Sequence, residues 1–369
     1  MRLLASLSRP PASTLCVLSS LTLALAACGD SGSETSGETE TPETASDSTD
    51  GPSTSSSDTS DTSASTTTSA TTNPDPSAGS SSGGETTTGP GVDYKTFELR
   101  APDFQPPTVT TWYSCMAWNF PVEQAVHLVG FKPVVDDPHV HHYVLGVYDT
   151  PQNPDPSVPC FQWVEDMVWG WAPGGEELWL PEDVGMRAGD SGTVTFVLQV
   201  HYNNPLADVY IDNDGVDVYY TEELREHEAG ILKVGDIGGI AIPPGEPNHE
   251  HVATCSSANT SALLDDEVHV IGTWLHAHDI GKTLWTEVFR GGEMIGELGR
   301  EDPFVFDYQT FHDADFWVQP GDEFRTHCVF DSSERDEWTY GGDATDQEMC
   351  INFMMYYPNN PDIESCGTL

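Results

Sequence analysis

Positive charge is what this sequence has least of. Thirteen Lys and Arg face sixty Asp and Glu, a formal net charge of −47. So acidic a chain is a poor partner for nucleic acid or anionic membrane surfaces and a better one for cations and metal ions. No two cysteines form a CxxC pair, which argues against a zinc ribbon or a redox motif. No long apolar stripe of 3.6-residue period stands out, so helices are not the expected framework. Residues 29–91 contain no Lys, no Arg and no aromatic residue. Such a stretch of Ser, Thr, Gly, Asp, Glu and Pro cannot bury enough apolar surface to offset its ordering entropy. It reads as a disordered tether.

The chain starts with a different signal. MRLLASLSRPPASTLCVLSSLTLALAACGD has a basic beginning (Arg2, Arg9), an apolar run and small residues, the layout of a secretory leader. The run is too short for a permanent transmembrane helix. Its end, LAAC, resembles a bacterial lipobox, in which Cys28 would carry the lipid. Residues 1–27 are therefore expected to be a lipoprotein-type signal peptide, and 28–91 the lipidated cysteine and linker. The expected location is the bacterial cell envelope, at the periplasm or cell surface, with the membrane reached by the lipid anchor only.

The folded part begins near Val92 and carries six cysteines, Cys115, Cys160, Cys255, Cys328, Cys350 and Cys366. An even number in an exported chain suggests three disulfides. Its segments are β-like: TWYSCMAWNF, AVHLVGFKPVV, VHHYVLGVYD, TVTFVLQVHYN, DVYIDNDGVDVYYTEE, HVIGTWLHAHDI and TLWTEVFRGGEMIGEL are rich in β-branched and aromatic residues. Turn chemistry (RGGE, NDG, QPGDE, PPGE) separates them. So many short strands suggest an all-β chain of two tandem β-sandwiches, 92–225 and 226–369, the break falling between Tyr220 and Glu250.

All thirteen histidines lie in this part. A lone His in a strand is more often a hydrogen-bonded structural residue than a ligand, and His127, His227, His312 and His327 are read so. HEH (His249, His251) follows a Pro/Gly-rich turn and reads as a solvated pair on an exposed loop. Three clusters remain: HVHH (His139, His141, His142), His201 in LQVHYNN, and His276 with His278 in WLHAHDIGK. His276 and His278 share a strand face and can reach one ion. Neutral imidazole suits copper, zinc or iron, and Met349 would add a soft thioether suited to Cu(I). Spacing alone does not separate Met349 from Met354 or Met355.

Taken in order, YSCMAW, VHHYVLGVYD, VGMRAG with TVTFVLQVHYN, WLHAHDIGK, HCVFDSS, YGGDATDQEMC and MMYYP resemble the copper type II, ascorbate-dependent monooxygenase family. The resemblance implies two jelly-roll-like β-sandwich domains facing across a solvent-filled cleft, with two copper ions per chain. His141, His142 and His201 match the electron-transfer copper. His276, His278 and Met349 match the copper where oxygen binds and substrate is hydroxylated. Cys115 with Cys160, Cys255 with Cys366, and Cys328 with Cys350 match family disulfides. Ascorbate or a similar donor would supply electrons, with O2 and a small-molecule or peptide substrate as partners and a monomer as the expected state. Adjacent His141 and His142 can reach one ion only if the strand twists or bulges there.

The sequence departs from the peptide-amidating members at the substrate side. Their carboxylate-binding arginine is Trp274 here, and their Asn and Tyr after EMC are Ile351 and Phe353, while Tyr113 is retained. The pocket is expected to be more apolar and to reject a C-terminal glycine in favour of an aromatic or aliphatic C–H substrate, neutral or cationic. Removing the tether's 11 acids and the leader's two arginines leaves 49 acids against 11 bases, in line with that. The competing readings are a non-catalytic copper-binding surface lipoprotein and a structural, adhesive β-sandwich protein.

Overall fold

The computed structural model describes residues 87–88, 93–160, 164, 166–360 and 363–369. The leader, Cys28 and the tether as far as residue 86 lie outside the described residues. Residues 87 and 88, counted above with the tether, form a short strand antiparallel to Asp93–Arg100. Backbone pairing at a sheet edge needs no apolar side chain, which is why composition did not reveal it.

The strand Thr193–Asn203 is buried along almost its whole length. It lies between Thr111–Pro121 and Val140–Tyr148 in a four-stranded sheet that Met167–Trp171 completes. A second sheet runs in lateral order through Asp93–Arg100, Gly215–Thr221, Val126–Val134 and Val184–Ala188. Leu99, Leu128, Phe131 and Val218 share one core cluster with the first sheet's Leu145, Phe196 and Leu198. Burying each such side chain contributes about 1.5–3 kcal/mol. This is the first β-sandwich.

The second has a five-stranded sheet, His312–Val318, Val268–His276, Cys350–Tyr357, Gly230–Asp236 and Ser365–Thr368. Its four-stranded partner is His249–Cys255, Asp322–Phe330, Gly281–Arg290 and Glu293–Glu301. Val234, Val288, Phe324 and Met354 fill the space between them. Two disulfides, Cys255–Cys366 and Cys328–Cys350, each join one sheet to the other. The third, Cys115–Cys160, belongs to the first sandwich.

Three local readings are corrected. Ser257–Leu263 is a short helix, capped by Ser256, whose side chain accepts from the Asn259 N–H; it is too short to show a period. The segment 208–214 is irregular instead of extended, because buried Asp212 and Asp214 turn the chain: the Asp214 N–H donates to Asp212 Oδ1, and the N–H groups of Asp136 and Asp137 donate to Asp214 Oδ2. His249 and His251 sit in the strand His249–Cys255, paired with Asp322–Phe330, not in a loop. His251 Nε2 meets Asp236 at 2.9 Å, an ordinary structural ion-pair geometry.

The two sandwiches do not stand apart across an open cleft. Trp274, Ile351, Phe353 and Met355 of the second belong to the same buried cluster as Tyr143, Trp169 and Trp171 of the first. At the centre of this joint the benzo edge of Trp274 lies over Gly170. A Cβ on Gly170 would fall 2.0 Å from Trp274 Cζ3, so only glycine allows the approach.

Candidate metal centres

Across the four-stranded sheet of the first sandwich, Tyr113 pairs with His201 and His201 pairs with His142. The register shifts between Val140 and His142, leaving His141 as the extra residue of a β-bulge. The bulge cancels the alternation that would send neighbouring side chains to opposite faces. His141, His142 and His201 therefore converge, each offering one nitrogen within 4.8 Å of the others. His142 Nδ1 lies 3.3 Å from both His141 Nδ1 and His201 Nδ1. His139 is not in the set: its Nδ1 bonds Asp137 at 2.6 Å and its ring stacks on Tyr210.

Burial holds all three rings neutral. It lowers the proton affinity of His141, and lowers those of His142 and His201 far more, with neighbouring imidazoles adding to the effect. Three neutral, buried, convergent Nδ1 atoms crowd their lone pairs together, an arrangement that a cation between them would relieve. The donor set suits copper well. The Tyr113 ring stacks on His201 at 4.3 Å and 3°, fixing its plane.

The second set forms where the strand Val268–His276 runs out. His276 ends it and His278 follows two residues on. His276 Nδ1 donates to Gln309 Oε1 at 2.7 Å, and His278 Nδ1 donates to the Gln347 carbonyl at 2.9 Å. Each bond fixes the tautomer with a lone pair on Nε2. His278 Nε2 is buried with no hydrogen-bond partner among the described residues, which leaves its lone pair free to donate. Burial pushes His276 down to about 3 and His278 to about 4, so both are unprotonated at neutral pH.

Met349 lines the same pocket as His276 and His278. Met354 and Met355 are core residues of the two hydrophobic clusters and do not line it. Glu348 locks the arrangement: its carboxylate accepts from the N–H of His278 at 2.8 Å and of Ile280 at 3.0 Å. Burial raises that carboxyl to about 8, against the pull of these N–H donors.

The two sets meet. The rings of His142 and His276 are 5.8 Å apart, and both line a cavity of about 40 Å³, room for roughly three waters. Tyr113, Trp274 and Phe353 line it as well; Ile351, the strand partner of His276, does not and is fully buried in the core cluster. Val144, Val164, Gln199 and Asp343 complete the wall. Gln199 was missed in the sequence, although its place two residues before His201 on one strand face was a signal for it. Asp343, Gln309 and Glu348 carried no such signal. Hydrogen bonds cross the joint here: the Tyr113 hydroxyl donates to the Asp343 carbonyl at 2.9 Å, and Thr345 Oγ1 lies 3.4 Å from both Thr111 Oγ1 and His201 Nε2. The Trp274 N–H is buried without a hydrogen-bond partner among the described residues.

Comparison with known proteins agrees along the chain. The N-terminal domain profile of the copper type II ascorbate-dependent monooxygenases matches residues 97–208, and the C-terminal domain profile matches residues 227–368. Similar proteins include human DBH-like monooxygenase protein 1, 31% identical over 291 residues, covering 71% of this chain and 47% of that protein. Tyramine beta-hydroxylase of Caenorhabditis briggsae is 30% identical over 283 residues, covering 70% and 48%. Dopamine beta-hydroxylase of Bos taurus is 30% identical over 298 residues, covering 74% and 48%. The chain thus spans about half the length of these relatives.

Proposed function

Since the chain belongs to the copper type II ascorbate-dependent monooxygenase family, we propose that it hydroxylates a C–H bond of a small aromatic amine with O2 and electrons from ascorbate or a similar donor. The observation that carries this reading is the meeting of two buried donor sets at one largely apolar pocket. His141, His142 and His201, in a domain taken as 92–225, hold the electron-transfer copper. His276, His278 and Met349, in a domain taken as 226–369, hold the copper at the substrate side. Copper bound there supplies one-electron transfer and activation of O2. The chain does the rest: Gln309 and the Gln347 carbonyl aim the imidazoles, Glu348 and the Cys328–Cys350 bridge anchor Met349, and Val144, Val164, Trp274 and Phe353 exclude water. The joint must part to admit a substrate larger than its present cavity.

The amine follows from the lining. Among the described residues no Lys or Arg lines the pocket, so a substrate carboxylate finds no cation there. Asp343 supplies a carboxylate, half-buried, which can pair with an ammonium group. The unpartnered Trp274 N–H offers one hydrogen bond to an acceptor such as a phenolic oxygen. Relatives named for tyramine and dopamine support the same chemistry. With tyramine as probe, the copper-loaded protein is expected to show ascorbate-dependent oxygen uptake coupled to hydroxylation. Asp343→Asn should raise KM about tenfold, a change near 1.4 kcal/mol, with kcat nearly unchanged. Uptake no greater than that of metal-free protein would defeat the enzyme reading, and an unchanged KM would defeat the role of Asp343.

Three disulfides suit an oxidising compartment. We place the chain outside the cytoplasm, held by lipid on Cys28. Cys28→Ser should move it from the membrane fraction to the soluble fraction; continued sedimentation with membranes would refute the anchor.

A further inference from the structure

With Nδ1 turned inward, each imidazole of the first set carries its hydrogen on Nε2 and needs an acceptor for it. His141 Nε2 is buried and makes no hydrogen bond among the described residues. The Asp307 carboxylate stands 3.4 Å from it. His201 Nε2 likewise has Thr345 Oγ1 at 3.4 Å. In both cases the histidine belongs to the first sandwich and the oxygen to the second. Phe306, beside Asp307, stacks on the His141 ring at 4.2 Å. The turn that carries them closes through a Tyr308 N–H bond to the Val305 carbonyl, and the Tyr308 ring covers Gly174 of the first sandwich. The turn is thereby seated on the first sandwich at two points.

Resting on the reading that His141, His142 and His201 hold copper, we propose that Asp307 is a positioning residue for that site, reaching it from the opposite sandwich. Its carboxylate accepts the His141 Nε2–H, and Thr345 stands in the same relation to His201. A distance of 3.4 Å exceeds that of a formed charge-assisted hydrogen bond. The Asp307 side chain is 75% exposed, however, so nothing packed around it prevents a closer approach. A carboxylate behind a metal-bound imidazole fixes the ring and strengthens its donor nitrogen. Because this partner is present only when the sandwiches are joined, copper at the first set and closure of the joint favour each other, and by the same factor.

The test uses the full chain with His276→Ala and His278→Ala, so that copper binds at the first set alone. Copper(II) affinity is measured by chelator competition and the site by electron paramagnetic resonance. Asp307→Asn should weaken binding about 10–100-fold and shift the hyperfine coupling. Asp307→Glu should recover most of both, and Thr345→Val should produce a smaller loss. Unchanged affinity and spectrum in Asp307→Asn would overturn the proposal. So would equal losses in the Asn and Glu variants, since the turn and not its carboxylate would then matter. A parent that binds no copper at the first set would instead overturn the metal reading, and this proposal with it.

Discussion

Replacing Met349 by isoleucine should abolish hydroxylation while copper is still held at His141, His142 and His201. The loss should exceed the roughly 10–100-fold expected when only a supporting hydrogen bond at a metal site is removed, because the thioether is itself a candidate ligand. Isoleucine is of similar volume and apolar, so the buried position costs less than about 1.5 kcal/mol and the fold survives. What disappears is the soft sulfur donor that suits Cu(I). The variant should retain about half the copper of the parent and the spectrum of the three-histidine set. Retained turnover would mean that another group completes the second set. Met354 and Met355 are poor substitutes, since both are 1% exposed in the cores and neither lines the pocket.

The largest effect on stability is expected from Cys255→Ala with Cys366→Ala. This bridge joins residues 111 apart in sequence, and a closed loop of that size limits the unfolded chain by about 4.7 kcal/mol in the chain-entropy view. Much of a typical domain's net stability is of that order. The bridge also secures the short strand Ser365–Thr368, which pairs with Gly230–Asp236 at the edge of the five-stranded sheet. Denaturant titration should show the double variant destabilised by several kcal/mol. Removing Cys328–Cys350, which spans only 22 residues, should cost less stability but disturb Met349, the residue next to Cys350. A smaller stability loss for Cys255–Cys366 than for Cys328–Cys350 would contradict the loop-length account.

Much of this architecture was legible because β-structure writes itself in short range. Thr111–Pro121, Val140–Tyr148 and Thr193–Asn203 are dense in β-branched and aromatic residues, and each is a strand. The helix Ser257–Leu263 and the acidic turn at 208–214 were not, since both depend on specific local hydrogen bonds that composition does not encode. At the site, the histidines were conspicuous because several imidazoles in apolar strands are unusual. Strict alternation would have paired His139 with His141; a bulge, which depends on how two strands register, brings His141 and His142 together instead. Asp343, Gln309 and Glu348 were invisible for a related reason. Each acquires its role only when a distant segment folds against it, and their polar side chains read as ordinary surface. Ile351 misled in the opposite direction: it does share a sheet face with His276 and Phe353, but it is fully buried in the core cluster and does not line the pocket.

The contact between Gly170 and Trp274 has a consequence for engineering. The indole rests on a position that has no side chain, so the spacing of the sandwiches there is set by a single hydrogen atom. Residue 170 works as a shim: a methyl group would wedge the seam, and larger groups would wedge it further. The size of guest the pocket can admit is then adjustable from a residue that lines no part of it.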